Sequence, residues 1–217
     1  MKYFNLHTHK FSNSSEILEL VNQYPWEFDA TIPNYSIGIH PWYIDENRLE
    51  KDLNIIEKKL QLNECLALGE CGLDKRIEIP IALQIEVFEK QILLAEKYQK
   101  PLVLHLVAAF DELIEIKKRL KITVPITIHG FSKNEQVAKQ LIENGFYLSF
   151  GKYLLRNPDL ETVFKSVPND RFFLETDTIE ETLEEVYTLA AKYKNMKIED
   201  LIELLNTSFT TVFKSNI

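Results

Sequence analysis

A parallel (β/α) barrel is the fold class this sequence predicts, and three observations predict it. Short apolar runs alternate with amphipathic helical stretches along all 217 residues, the pattern of βα units and a parallel sheet. Several runs lack polar alternation, as expected of parallel strands buried on both faces. Histidines and acids recur at the carboxyl ends of the runs, where a parallel barrel gathers its active-site residues on one face. Seven such strands with outer helices favour a barrel, and an open parallel sheet is the second choice.

Tyr3 to Leu6 is the first strand, and His7 and His9 follow it. Ser36 to Ile39 is the next, closed by His40. The 30 residues between His9 and His40 do not hold two strand–helix crossovers comfortably, since each takes about 10–12 residues beyond its strands. Leu49, Leu53, Ile56 and Leu60 share one helical face. Leu66 to Leu68 is a strand leading into GECGLD, and a helix runs from near Pro80 to before Pro101. Leu102 to Leu104 ends at His105, and Phe110 to Leu120 is helical. Ile126 to Ile128 ends at His129, and the helix in NEQVAKQLIEN stops at Gly145, a C′ residue. Phe146 to Phe150 is a strand. Asn157 as N-cap and Pro158 at N1 then start a helix whose apolar face is Leu160, Val163, Phe164 and Val167. Phe172 to Leu174 leads to Glu175 and Asp177, and helices over Glu180–Lys194 and Ile198–Leu205 close the chain. No linker or low-complexity tract divides it, so one domain over 1–217 is expected.

Composition is that of a soluble globular protein, 45% hydrophobic and 27% charged. The net charge of -8 gives no overall attraction to nucleic acid or anionic membranes. Cys65 and Cys71 are too few for a disulfide scaffold and match no zinc motif, so they read as core thiols. The amino terminus lacks the features of a signal peptide. The apolar window Ile92–Phe110 is broken by Glu96, Lys97, Gln99, Lys100 and Pro101, so it is no membrane span. A cytoplasmic protein is expected.

His7 and His9 are two apart, so on a strand both imidazoles face the same way; alone, the pair is a weak signal. Glu70, flanked closely by glycines, is more than a surface charge, and Asp74 behind it suits a supporting role. A single histidine after an apolar run is more often a core residue than a ligand. His105 and His129, at equivalent points of consecutive units, are harder to dismiss. Asp177 follows Glu175 by two. These imidazoles and carboxylates suit one or two divalent ions, of zinc, manganese or magnesium type, more than calcium. Two ions close together activate water and stabilise a leaving phosphate oxygen. Neither a P-loop nor a G-x-S-x-G elbow occurs.

HTH at 7–9, GIHPW at 38–42, ALGECGLD at 67–74, PLVLH at 101–105, IHGFS at 128–132 and LETD at 174–177 occur in the order seen in the TatD family of metal-dependent deoxyribonucleases. Gln84, Phe88, Gln91 and Ala95, and Asn206 with Phe213, extend the resemblance over nearly the whole chain. The resemblance implies a TIM-type barrel and a two-metal site, with His7, His9 and Asp177 on one ion, His105 and His129 on the other, and Glu70 bridging them. It implies phosphodiester hydrolysis by metal-activated water, with Asp177, Glu70 and His40 catalytic, His40 near the scissile phosphate, and DNA or another phosphodiester as substrate. The chain departs from the family at Val107, where an arginine is usual, and at Thr178 and Ile179, where a proline is usual. The acid usual after HxH is missing. The short interval from His9 to His40 implies loss of most of one strand–helix unit, with only FDATI kept, and hence a trimmed or distorted barrel. PHP-type phosphoesterases, amidohydrolases and a non-catalytic barrel are the alternatives.

Overall fold

The computed structural model describes residues 2–214. Its elements in order are β1 (Tyr3–Thr8), β2 (Ile17–Gln23), β3 (Tyr35–Ile37), a 3-10 turn (Pro41–Tyr43), α1 (Leu49–Leu60), β4 (Cys65–Asp74), α2 (Ile81–Tyr98), β5 (Leu102–Val107) and α3 (Phe110–Leu120). There follow β6 (Ile126–Ile128), α4 (Glu135–Glu143), β7 (Tyr147–Phe150), α5 (Lys152–Arg156), α6 (Leu160–Ser166), β8 (Phe172–Leu174), α7 (Leu183–Lys194) and α8 (Ile198–Phe213). The sheet runs β1 to β8 in chain order. The β1–β2, β3–β4, β4–β5 and β7–β8 ladders are all parallel. Beyond β8, Asp177 bridges Thr8 at the end of β1. This is the strand order of a TIM-type barrel.

The sequence reading recognised seven strands; the structure has an eighth, β2, with sequence ILELVNQ. Glu19, Asn22 and Gln23 interrupt its apolar run, and no helix flanks it to mark a βα unit. The chain returns from Thr8 to Ile17 through eight residues, His9 to Glu16. At ~3.3–3.6 Å per residue an extended segment of that length spans the rise of a short strand without a helix. The trimming therefore falls on the helices between His9 and His40, while the strand is kept. FDATI, expected to be the remnant, forms neither strand nor helix; Ala30 and Thr31 lie in a turn and the rest is irregular.

The chain packs as two compact units, Met1–Val21 with Ile128–Ile217, and Asn22–Thr127. In the first, Phe4 of β1 packs edge-on against Phe209 of α8 at 4.6 Å and Phe173 of β8 at 5.7 Å. The buried Tyr187 hydroxyl of α7 accepts from the Phe4 N–H at 3.0 Å and donates to its carbonyl at 2.9 Å, satisfying a strand backbone that would otherwise be unpaired. In the second, two buried glutamines of α2 do the same work. Gln91 accepts from Ile39 N at 2.7 Å and donates to Ile39 O at 3.1 Å. Gln84 accepts from Asp74 N at 2.8 Å and donates to Asp74 O at 3.0 Å. These amides fix the backbone at the ends of strands that carry the candidate site.

Several helix limits differ from expectation. The helix expected from Asn157 starts at Leu160, because the Asn157 side chain accepts from Asp159 N at 3.1 Å in a turn of its own. α7 starts at Leu183 behind a Thr182–Glu185 capping box, and α8 runs on to Phe213. The short α5 was not foreseen. No helix among the described residues is long and apolar enough to cross a membrane.

Candidate metal centre

In the Asn22–Thr127 unit the site grows from β4 and β5. β4 does not stop before Glu70, as the sequence reading had it; it continues to Asp74, and all ten of its residues are buried. Gly72 pairs with His105 across the ladder. A methyl group at Gly72 would lie 2.1 Å from the His105 carbonyl oxygen, so only glycine admits this approach. The Glu70 N–H donates to Asn22 Oδ1 at 2.7 Å, tying the residue to β2.

Glu70 Oε1 stands 3.2 Å from His40 Nε2 and 3.2 Å from His105 Nδ1. Nδ1 of His40 accepts from the Trp42 N–H at 3.1 Å, so a neutral His40 carries its proton on Nε2, aimed at Glu70. His105 is held from its other side: Nε2 meets Asp74 Oδ2 at 3.2 Å. The same oxygen accepts from Trp42 Nε1–H at 2.8 Å, and Asp74 Oδ1 accepts from Arg76 N at 2.9 Å. Burial pushes the Asp74 carboxyl up, but hydrogen bonds from Trp42, Arg76 and His105 outweigh it and hold it below the usual range. Asp74 thus holds the His105 ring from behind while Nδ1 faces the Glu70 carboxylate. The 3.2 Å contact is the length of a ring N–H donating to a carboxylate, and it is also near the spacing of two ligands on one ion. The ligand-forming atoms of His40, Glu70 and His105 all lie within 4.8 Å of one another.

In the other unit the contributors are β1, β6 and β8. His7 is fully buried within β1 and His9 follows it, with their ring centroids 5.0 Å apart. His129 follows β6, its ring 4.4 Å from His7. Asp177 Oδ1 lies 3.8 Å from His7 Nε2 and 3.5 Å from His9 Nε2. The 3.8 Å separation is too long for a hydrogen bond and 3.5 Å is at its limit, yet both are near the spacing of two ligands on one ion. The donor atoms of His7, His129 and Asp177 fall within 4.8 Å of one another, so His129 groups here with His7 and Asp177. The buried Glu175 accepts from Gly130 N at 2.7 Å and meets His129 Nδ1 at 3.3 Å, leaving Nε2 of that ring for a ligand role. Burial pushes Glu175 up, but the hydrogen bond and charge of His129, with the charge of His7, bring it below the usual range. A methyl group at Gly151 would lie 2.4 Å from the Glu175 carbonyl oxygen, so a glycine opens α5 against the backbone of this residue.

Both donor sets, imidazole with carboxylate and a second carboxylate behind a ring, fit a divalent cation of borderline hardness. Two residues of the site escaped the sequence reading. Asn22 lies on the missed strand β2, and recognising that strand was the only route to it. Trp42 was quoted within GIHPW but not singled out, although the motif placed it two residues from His40.

Comparison with known proteins follows the same motifs. A family model described as TatD related DNase matches residues 2–215. A Bacillus subtilis protein named as the uncharacterized metal-dependent hydrolase YabD is 32% identical over 165 residues, covering 74% of this chain and 62% of that protein. A Haemophilus influenzae protein, also named as an uncharacterized metal-dependent hydrolase, is 30% identical over 154 residues, covering 66% of this chain and 58% of its own length. The chain thus spans about three fifths of these relatives. Among solved structures, the TatD homologue YJJV of Escherichia coli K12 superposes with a TM-score of 0.82 at 20% identity, covering 98% of both chains. A TatD-family hydrolase of Entamoeba histolytica gives 0.83 at 14% identity, again over 98% of each. These structures share the barrel fold, and the match of the family model over residues 2–215 means that this chain belongs to the TatD-related DNase family.

Proposed function

We propose that this protein is a metal-dependent hydrolase of phosphodiester bonds, a deoxyribonuclease of TatD type acting on DNA or a similar phosphodiester. The observation that carries the reading is the clustering of ligand-forming atoms within 4.8 Å in each unit, His40 with Glu70 and His105, and His7 with His129 and Asp177, with Asp74 and Glu175 behind the rings. His7, His9, His129 and Asp177 are the proposed ligands in one unit, and Glu70 and His105 in the other. A divalent ion held by such ligands supplies Lewis-acid polarisation of a phosphoryl oxygen and lowers the pKa of water. The chain's own groups divide the remaining work. Asp177, with its side chain 25% exposed, is placed to accept a proton from water. His40 holds a proton on Nε2, which suits donation to a leaving oxygen. Glu175 and Asp74 keep His129 and His105 in the tautomer that a ligand needs.

The test measures bound metal per chain and hydrolysis of oligonucleotides and simple phosphodiesters. Glu70→Ala should lower metal content and abolish turnover. His40→Ala should keep metal content and lower kcat about 10²- to 10⁴-fold. A wild type that binds metal but hydrolyses amides or phosphomonoesters in place of diesters would replace this reading with an amidohydrolase or PHP-type one. Metal binding without hydrolysis of any of these would leave a non-catalytic barrel.

A further inference from the structure

Trp42 follows His40 by two residues, and 53% of its surface is exposed. The indole lies half in water beside the proposed catalytic cluster and opens an aromatic patch, and a contiguous exposed patch of this kind marks an interaction site. The indole is not loose. Its Nε1–H donates to Asp74 Oδ2 at 2.8 Å. Its ring stands edge-on to His40 at 5.1 Å and to His105 at 5.6 Å. One edge is thus bound to the carboxylate that orients His105, while about half of the residue's surface faces solvent. Tyr43, 44% exposed, lies 5.6 Å from His40 and continues the aromatic surface. Behind it, Tyr24 and Trp26 are stacked at 4.9 Å, and both meet Tyr43 edge-on. The Arg48 guanidinium covers Trp26 at 3.7 Å and pairs with Asp52 at 3.0 Å, so its charge is engaged locally.

We propose that Trp42 is a stacking platform that receives one unpaired nucleobase beside the scissile phosphate and sets substrate specificity. The inference rests on the phosphodiesterase reading of the site. Three features favour a base as occupant. The indole is already oriented by its hydrogen bond, so stacking costs little further ordering. The net charge of -8 gives the chain no overall attraction to a phosphate backbone, so contacts other than long-range charge have the more to contribute beyond the metal centre. Stacking is such a source, and it accepts any base because every base has a π-face. A base inside a duplex has both faces covered, so the platform selects single strands or frayed ends. The anchoring also links recognition to chemistry: a single oxygen of Asp74 holds both the indole and His105, so a base seated on Trp42 bears on the orientation of that imidazole.

The test is a fluorescence titration of the metal-loaded protein with a short oligothymidylate whose phosphorothioate linkages resist hydrolysis, with an abasic phosphorothioate strand of equal length as control. The chain has two tryptophans, and a Trp26→Phe background isolates the signal of Trp42. The thymidylate should quench Trp42 emission and the abasic strand should not. Trp42→Ala should weaken thymidylate binding about 5- to 100-fold and raise its KM by a similar factor. Trp42→Phe, which keeps a ring but loses the N–H, should recover most of that loss. Equal affinity for the two strands, or a loss in Trp42→Ala that is the same for both and not recovered by phenylalanine, overturns the platform. Quenching without hydrolysis of any phosphodiester leaves the platform standing and removes the proposed reaction. Hydrolysis with a KM indifferent to Trp42 does the reverse.

Discussion

Two carboxylates that are not proposed as ligands govern the ligands that are. Asp74 and Glu175 each face a ring nitrogen of a candidate ligand histidine, at 3.2 and 3.3 Å. Both are buried, and both are held ionised by the hydrogen bonds they accept. Their value is orientation: an imidazole whose proton is fixed at one nitrogen presents its lone pair at the other without a rotational search. Removing such a partner usually costs about 10- to 100-fold in metal affinity. Asp74→Ala and Glu175→Ala should therefore weaken metal binding by about that factor in a chelator competition. An unchanged affinity in both would show that the rings are held by other contacts.

At the scale of elements, the fold depends on close approaches and on side chains that satisfy backbone groups. Gly72→Ala places a methyl group 2.1 Å from the His105 carbonyl, so β4 and β5 must part. The variant should show a lower Tm and a loss of bound metal together, since His105 moves with its strand. Phe209 of α8 is 1% exposed and packs 4.6 Å from Phe4 and 5.1 Å from Phe213. Phe209→Ala should cost about 3–5 kcal/mol in denaturant unfolding. Glu96 of α2 ties the loop before β6, accepting from Thr123 N at 2.6 Å, Thr123 Oγ1 at 2.7 Å and Val124 N at 3.0 Å. Burial pushes this carboxyl up, but those three bonds prevail and lower its pKa. With the folded-state value depressed, the unfolded chain binds more protons in the titration range. The contribution is therefore present above the ordinary glutamate value of about 4.3 and is lost as pH falls through the folded value. Wild type should lose more Tm than Glu96→Gln between pH 6 and pH 3; equal losses would show that the loop does not depend on the ionised carboxylate.

For the whole molecule, charge sets the terms on which the proposed nucleic-acid substrate would bind. A chain of net charge -8 has no overall attraction to a polyanion. Some cations of the Asn22–Thr127 unit are engaged with neighbouring acids, as Lys75 is with Glu112 and Arg48 with Asp52. Few phosphates are then neutralised by side chains, and few counterions are released. The affinity for oligonucleotide should fall only weakly with salt, with a log–log slope of about -2 or shallower. A slope several times steeper would reveal a basic surface and refute the account based on stacking.

The six motifs, their order and the chemistry of their side chains were legible in the sequence, because histidines and acids that follow apolar runs leave a local signature. His7, His9, Glu70, His105, His129 and Asp177 could each be picked out by position after a run. Helices with clear periodicity and punctuation, such as α3 over Phe110–Leu120, were legible for the same reason. The strand β2 was not. Its polar residues hide it, and what makes it a strand is the ladder with β1, where Tyr3 pairs with Ile17 and Asn5 with Glu19. Asn22 entered the account only with that strand. The grouping of donors was also beyond the sequence: His129 gathers with His7 and Asp177, and His40 with Glu70 and His105. Local pattern marks which residues lie at or near the carboxyl end of an apolar run, not where the strand stops: β4 runs past Glu70 to Asp74 and β5 past His105 to Val107. Which ring meets which carboxylate depends on bulges, glycine contacts and register between strands far apart in the chain, and those are decided only when the strands pack.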